Sequence, residues 1–375
     1  MKKICYVATI PAVVHSFLRV HIQAAAEKYD VTVICNETDK YLLEGLNAHI
    51  IFLPITRNPS LWNDMMILFR LFSLFRREKF DIVHSIMPKT GILSMLGAWL
   101  ARIPVRIHTF TGQVWVTKYG IKRFLLKWFD TLIGNFATCV FIDSPSQRDF
   151  LVNENVLSKE KTTVIGAGSI CGVDTQRFVP NAHIREKIRN ELEIAHDSKV
   201  ILYVGRLNRD KGILDLATAF EIIANNCPRA VLLLVGTEED VSFNQIQEIC
   251  RPHTGHLHYI PFSSTPEHYM AAADIFCLPS YREGFGMTII EAAACEIPTV
   301  ASCIYGITDA VDDGTTGVLF TAGDTASLTQ VLLRLINNQD LCREMGKASR
   351  KRALELFESQ LITKEMLSAY EMFLK

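Results

Sequence analysis

No stretch of about 18 uncharged apolar residues occurs in this 375-residue chain, which excludes a membrane-spanning helix. There is no CxxC pair and no Cys/His cluster at zinc spacing, although ten cysteines are scattered from Cys5 to Cys342. That pattern excludes the common zinc sites and reads as reduced core thiols of a cytosolic protein. The formal net charge is −1, so bulk charge gives no footprint for nucleic acid. No low-complexity segment, short-period repeat or DxD triplet is present. The N-terminal "MKKICYVATIPAVVH" has lysines and an apolar run, but the run is only strand-length. No small-residue cleavage site follows, so it reads as a first β-strand.

What is present is length for two domains and a repeated strand-helix pattern. "KICYVATI" (3–10), "DVTVICN" (30–36), "HIIFLPI" (49–55), "DIVHSIM" (81–87), "VRIHTF" (105–110) and "CVFIDS" (139–144) are short and rich in Val and Ile. Apolar residues on both faces mark buried parallel strands. Helical stretches such as Phe17–Lys28 and Leu61–Lys79 separate them, which implies βαβ units. The pattern restarts with strands at 200–207, 230–236, 257–262, 274–280 and 297–302. Between the sets, "GSICGVDTQRFVPN" (168–181) has no clear periodicity and contains the linker, 171–181. The expected domains are 1–170 and 182–354, with a C-terminal helix at 355–375 packing back towards the first domain. Two such halves leave one natural ligand site, the cleft that both face with the carboxyl ends of their strands.

"YREGFGMTIIEAAAC" places Glu283 at a strand-to-helix turn and Glu291 in the second turn of the helix. Gly284 and Gly286 let backbone approach a ligand closely, and a helix N-terminus favours phosphate. Two acceptor-only carboxylates beside an anion cradle suit a ligand with hydroxyls and phosphates together, such as a sugar nucleotide. A helix-terminal Glu followed by a solvated Glu would show the same spacing. "YVGRLNRDKG" (203–212) puts Arg206 and Lys211 on a loop after a strand, where two cations could hold a diphosphate. An exposed basic loop would read the same way.

Taken in order, "GVDTQRF", "VGRLNRDKG", "AAADIFCLPSYREGFGMTIIEAAACEIPTVAS" and "DAVDDGTTGVLF" resemble the retaining glycosyltransferases of family four, of the bacterial surface-polysaccharide type. The resemblance covers most of the chain and is strongest from about 200 to 320. It implies the GT-B fold, two Rossmann-like doubly wound α/β domains facing a central cleft. It assigns Arg206 and Lys211 to the donor diphosphate and Glu283 to hydroxyls of the transferred sugar, near the reacting carbon. Glu291 would bind the ribose hydroxyls. The backbone of Gly284, Phe285, Gly286 and Met287 would approach the sugar and phosphates. His108, in "HTFTG", would contact the transferred sugar; the residues alone read equally as a core histidine.

The implied function is retaining transfer from a nucleotide sugar, a UDP-linked hexose or N-acetylhexosamine, to a lipid-linked or oligosaccharide acceptor. With Arg206, Lys211 and a helix dipole supplying charge, and no DxD, the transfer is expected to need no metal and no cofactor. No enzymic nucleophile is visible, which fits a front-side displacement. Two rivals share parts of the pattern. One is a sugar-nucleotide epimerase of the same architecture; the other is a non-enzymic two-lobed sugar-binding protein, normally exported.

Two departures stand out. "TIPAVVHSF" has no glycine where many members carry a glycine pair, and Glu296 stands where glycine is usual. On the acceptor side, 61–80 and 118–136 mix aromatic residues with Arg70, Arg76, Arg77 and Lys79, and with Lys118, Lys122, Arg123 and Lys127. Basic amphipathic helices can lie on an anionic membrane surface. The expected location is cytoplasmic, with peripheral contact on the inner face of the cytoplasmic membrane. Ordinary sheet-covering helices would also account for both stretches.

Overall fold

Strands without polar alternation must be covered on both faces, and the computed structural model builds two such sheets. It describes residues 1–56 and 58–375. The chain divides into one unit of Met1–Gly172 with Ser359–Lys375, and a second of Val173–Glu358.

The first unit carries seven parallel strands: β1 (Lys3–Val7), β2 (Asp30–Cys35), β3 (His49–Phe52), β4 (Ile82–Ile86), β5 (Val105–Phe110), β6 (Cys139–Ile142) and β7 (Thr162–Val164). Their order is β3-β2-β1-β4-β5-β6-β7, so the winding reverses between β1 and β4. Helices Leu61–Glu78, Pro88–Leu100 and Gly120–Phe136 pack in succession. Their inner faces bury Ile67, Leu71, Phe75, Met95, Ala98 and Ile133. After β1 there is no glycine turn; Pro11 starts a helix at once, with a π-helical turn at Val14–Leu18.

Helix Ser359–Phe373 belongs to this unit and packs on helix Arg19–Ala26. It buries Ile362, Met366 and Tyr370. Its polar side chains are matched inside: Tyr370 is hydrogen-bonded to His84 Nδ1 at 2.5 Å, and Thr363 to His21 Nδ1 at 2.9 Å. The preceding helix, Gln339–Leu356, stops before Phe357. Helix therefore breaks inside the stretch read as one C-terminal helix from 355. The 171–181 stretch is anchored early, because Val173 N–H donates to Phe357 O at 2.7 Å.

The second unit holds β8 (Lys199–Val204), β9 (Ala230–Val235), β10 (Leu257–Ile260), β11 (Ile275–Leu278), β12 (Thr299–Ser302) and β13 (Gly317–Phe320). The order β10-β9-β8-β11-β12-β13 reverses between β8 and β11. Neither β7 nor β13 is among the strands read from sequence. Both are short edge strands, partly exposed, and "TTV" is too brief to carry a period. None of the ten cysteines is paired, and six are buried. Cys303 departs from the core expectation, because it is exposed.

Candidate active site

In a doubly wound sheet, loops leaving the carboxyl ends of the strands that flank the reversal diverge and open a crevice. In the second unit those strands are β8 and β11, and the loops after them carry Arg206, Lys211 and Glu283. The two loops are joined strand end to strand end. Gly212 sits at φ 67°, where a Cβ would lie 2.0 Å from Pro279 O, so only glycine permits the approach. Tyr281 N–H donates to Asp210 O at 2.9 Å, and Arg282 pairs with Asp210 at 3.3 Å.

This brings Lys211 Nζ into an ion pair with Glu283 Oε1. The Ser280 hydroxyl donates to the same oxygen at 2.8 Å. The pair is largely buried, with side chains 23% and 11% exposed, so removing either member would strand the other charge. Arg206 is held differently. Its guanidinium pairs with Glu239 at 2.6 Å in the open, and Tyr203 Oη donates to its carbonyl at 2.7 Å. Asn208 caps the single 3₁₀ turn Arg209–Lys211 by accepting from Lys211 N–H at 2.9 Å. It also donates to Glu239 Oε2 at 2.5 Å.

Past Glu283 the backbone of Gly284, Phe285 and Gly286 is buried, and helix Met287–Ala294 begins at Gly286, φ 84°. Phe285 turns its ring into the core against Phe357, 5.2 Å between centroids. The helix dipole adds positive potential at that end. Glu291 lies one turn further on. Burial pushes its carboxyl up to about 7; Arg177 pulls it down and Glu267 pushes it up. Arg177 in turn donates to Glu267 at 2.8 Å and to Ser264 O at 2.7 Å. A half-titrated carboxyl at neutral pH, backed by an arginine, can accept hydrogen bonds from a vicinal diol.

Lys211 and Glu283 therefore meet directly. Arg206 lies on the same loop as Lys211, and the Arg177 charge acts on the Glu291 carboxyl. His108 belongs to the other unit, on β5, buried and bonded to Ser85. Sequence reading missed Ser280, Glu239, Asn208, Glu267 and the role of Arg177 beside Glu291. Of these Arg177, Asn208 and Ser280 had a signal, their places in "GVDTQRF", "VGRLNRDKG" and "LPSYREGFG". Glu296 adopts φ 64°, which explains why glycine is usual at that position. Among the described residues no group of three or more His, Cys, Asp or Glu could hold a metal ion.

Residues 184–352 match the family Glycosyl transferases group 1, and residues 18–168 match the Glycosyl transferase 4-like domain. The capsular polysaccharide biosynthesis glycosyltransferase CapM of Staphylococcus aureus is 32% identical, over 88% of this chain and 86% of that protein. An Escherichia coli enzyme, UDP-Gal:alpha-D-GlcNAc-diphosphoundecaprenol alpha-1,3-galactosyltransferase, is 30% identical over 84% and 82%. Among solved structures, sucrose-phosphate synthase from Thermosynechococcus elongatus superposes with a TM-score of 0.83 at 23% identity, covering 99% of each chain. HepE of Anabaena in complex with UDP gives 0.82 at 19%, covering 99% of this chain and 100% of its own. These last two show likeness of fold. On its sequence matches the chain belongs to the group 1 glycosyltransferases, with a glycosyl transferase 4-like N-terminal half and the GT-B fold.

Proposed function

We propose that the chain transfers a hexose or N-acetylhexosamine from a UDP-sugar, with retention of configuration, to a lipid-linked or oligosaccharide acceptor in surface-polysaccharide synthesis. The observation that carries this reading is the Lys211–Glu283 pair at the reversal between β8 and β11, beside the 287–294 helix N-terminus. It joins a cation for a leaving phosphate to a carboxylate for sugar hydroxyls. The names of the relatives from S. aureus and E. coli support the polysaccharide setting and a lipid-diphosphate acceptor. The UDP-bound neighbour supports the nucleotide.

In this reading Lys211 and Arg206 stabilise the charge that develops on the departing diphosphate, so no metal or other cofactor is needed. Both cations must exchange carboxylate partners for phosphate when donor binds. Glu283 orients the sugar through its hydroxyls, and Glu291 takes the ribose diol. The acceptor hydroxyl oxygen bonds to the anomeric carbon on the face the diphosphate leaves. The anomeric carbon–oxygen bond to the diphosphate breaks, and the hydroxyl proton passes to the departing phosphate oxygen.

We further propose a cytoplasmic protein that meets its lipid acceptor at the inner membrane face. The first unit exposes Trp62, Met65 and Phe69 at the start of helix 61–78, and Ile121, Phe124 and Trp128 along helix 120–136. The basic residues contribute less than their number suggests. Arg123 and Lys127 share a helix face, but that face turns onto Trp115, at 5.3 and 5.6 Å, and pairs with Glu154. Lys122 is exposed.

The test is incubation with a panel of nucleotide sugars, with and without polyprenyl-diphosphate sugars, following nucleotide release and the product's anomeric configuration by NMR. The expected outcome is acceptor-dependent UDP release, an unchanged anomeric configuration and no effect of a chelator. Inversion, chelator sensitivity or sugar isomerisation without acceptor would each overturn the matching part.

A further inference from the structure

β4 and β5 pair in parallel with Ser85 opposite His108, so the two side chains share a face. Ser85 Oγ lies 2.8 Å from His108 Nδ1, and both residues are buried. His108 is the only described partner of the Ser85 hydroxyl. A neutral imidazole carries one proton, on one nitrogen or the other. If Nδ1 held it, the Ser85 proton would face no acceptor at full burial. If Ser85 donates to Nδ1, both groups are satisfied and the ring proton must sit on Nε2. Nε2 is buried and has no hydrogen-bond partner among the described residues. A buried polar atom without a protein partner calls for an explanation, such as a bound water, an ion or a ligand.

The ring is also held sterically. A Cβ on Gly91 would lie 2.5 Å from His108 Cε1 and 2.9 Å from Nδ1, so the ring occupies the place a side chain would need. Phe110 packs edge-on at 4.7 Å between centroids. Burial holds His108 neutral, its pKa pushed down to about 3.

We propose that Ser85 and Gly91 are positioning residues that fix His108 as the Nε2–H tautomer, which donates a hydrogen bond to an oxygen of the transferred sugar. This rests on the reading of His108 as a sugar contact. It makes His108 a neutral donor and excludes it as a general base.

Two measurements separate the positioning from the function. Long-range proton–nitrogen NMR of the histidine-labelled chain without ligand should show His108 protonated at Nε2 and not at Nδ1. A proton on Nδ1 overturns the proposal, whether or not the chain transfers sugar. In the transfer assay, Ser85→Ala should lower kcat about ten- to a hundredfold, the range for losing a partner that fixes a metal-ligating histidine's tautomer. UDP affinity should not change, because its proposed site lies in the other unit. Gly91→Ala should act in the same direction. His108→Gln, whose amide nitrogen reaches the place of Nε2, should retain more activity than His108→Asn, which mimics Nδ1. Normal kcat in folded Ser85→Ala, or equal activity in the Gln and Asn variants, would sink it.

Discussion

The two cations of the site differ in how they are held. Lys211 is largely buried with Glu283, whereas Arg206 and Glu239 pair in solvent, where such pairs are worth about 0–1 kcal/mol. Lys211→Ala should therefore both destabilise the second unit and cut transfer. Arg206→Ala should cut transfer with little change in stability. Each loss of transfer should be roughly a hundred- to a thousandfold, as for a removed oxyanion donor. Paired urea melts and kcat values check this, and a stable Lys211→Ala variant with near-normal turnover would contradict it. Glu291 gives a pH prediction. With its carboxyl near 7 in the free chain, falling pH protonates the form that would accept ribose hydroxyls in the proposed role. UDP affinity should weaken below about pH 7, and Glu291→Gln should bind more weakly at pH 8 with a flatter profile. Folding runs by the same sign. The folded pKa lies above the ordinary carboxylate value, so the folded state keeps a proton that the unfolded chain has lost. This group's contribution to stability is therefore present at low pH and is lost as pH rises to about 7. Calorimetric titration at three pH values decides the binding claim.

At the scale of elements, the C-terminal helix Ser359–Phe373 is built into the first unit by buried polar matches as well as by apolar area. Tyr370→Phe keeps the ring and removes only the hydroxyl bonded to His84 Nδ1. A buried group left without its partner costs about 1–3 kcal/mol. The denaturation midpoint should fall accordingly, and an unchanged midpoint would show the contact is idle. Both matched histidines are held neutral by burial, His84 down to about 3 and His21 to about 4. Their stabilising effect is therefore full at neutral pH and fades as pH drops below the unfolded value, near 6.5. The helix was legible as helix in the sequence. Its partners were not, because His21 and His84 lie more than 280 positions away in the chain.

For the whole molecule, the membrane reading predicts which changes matter. Replacing Ile121, Phe124 and Trp128 with Ser should lower binding to anionic vesicles by about tenfold or more, since each buries apolar area in the interface. Replacing Arg123 and Lys127 with Gln should do less, because Glu154 already meets both charges. Co-sedimentation at low and high salt compares the two sets, and a larger effect of the Arg/Lys set would reverse the assignment. The sequence by itself determined the α/β class, most strands, the loops that bear Arg206, Lys211, Glu283 and Glu291, and the family. Those follow from periodicity, turn residues and motifs that are local in the chain. Only the tertiary structure decided that Lys211 meets Glu283, that Arg177 backs Glu291 and that Ser85 faces His108. It also decided that Arg123 and Lys127 pack over Trp115 and pair with Glu154. Each of these brings together side chains from separate loops, strands or helices, and the Ser85–His108 contact is the one set by strand register.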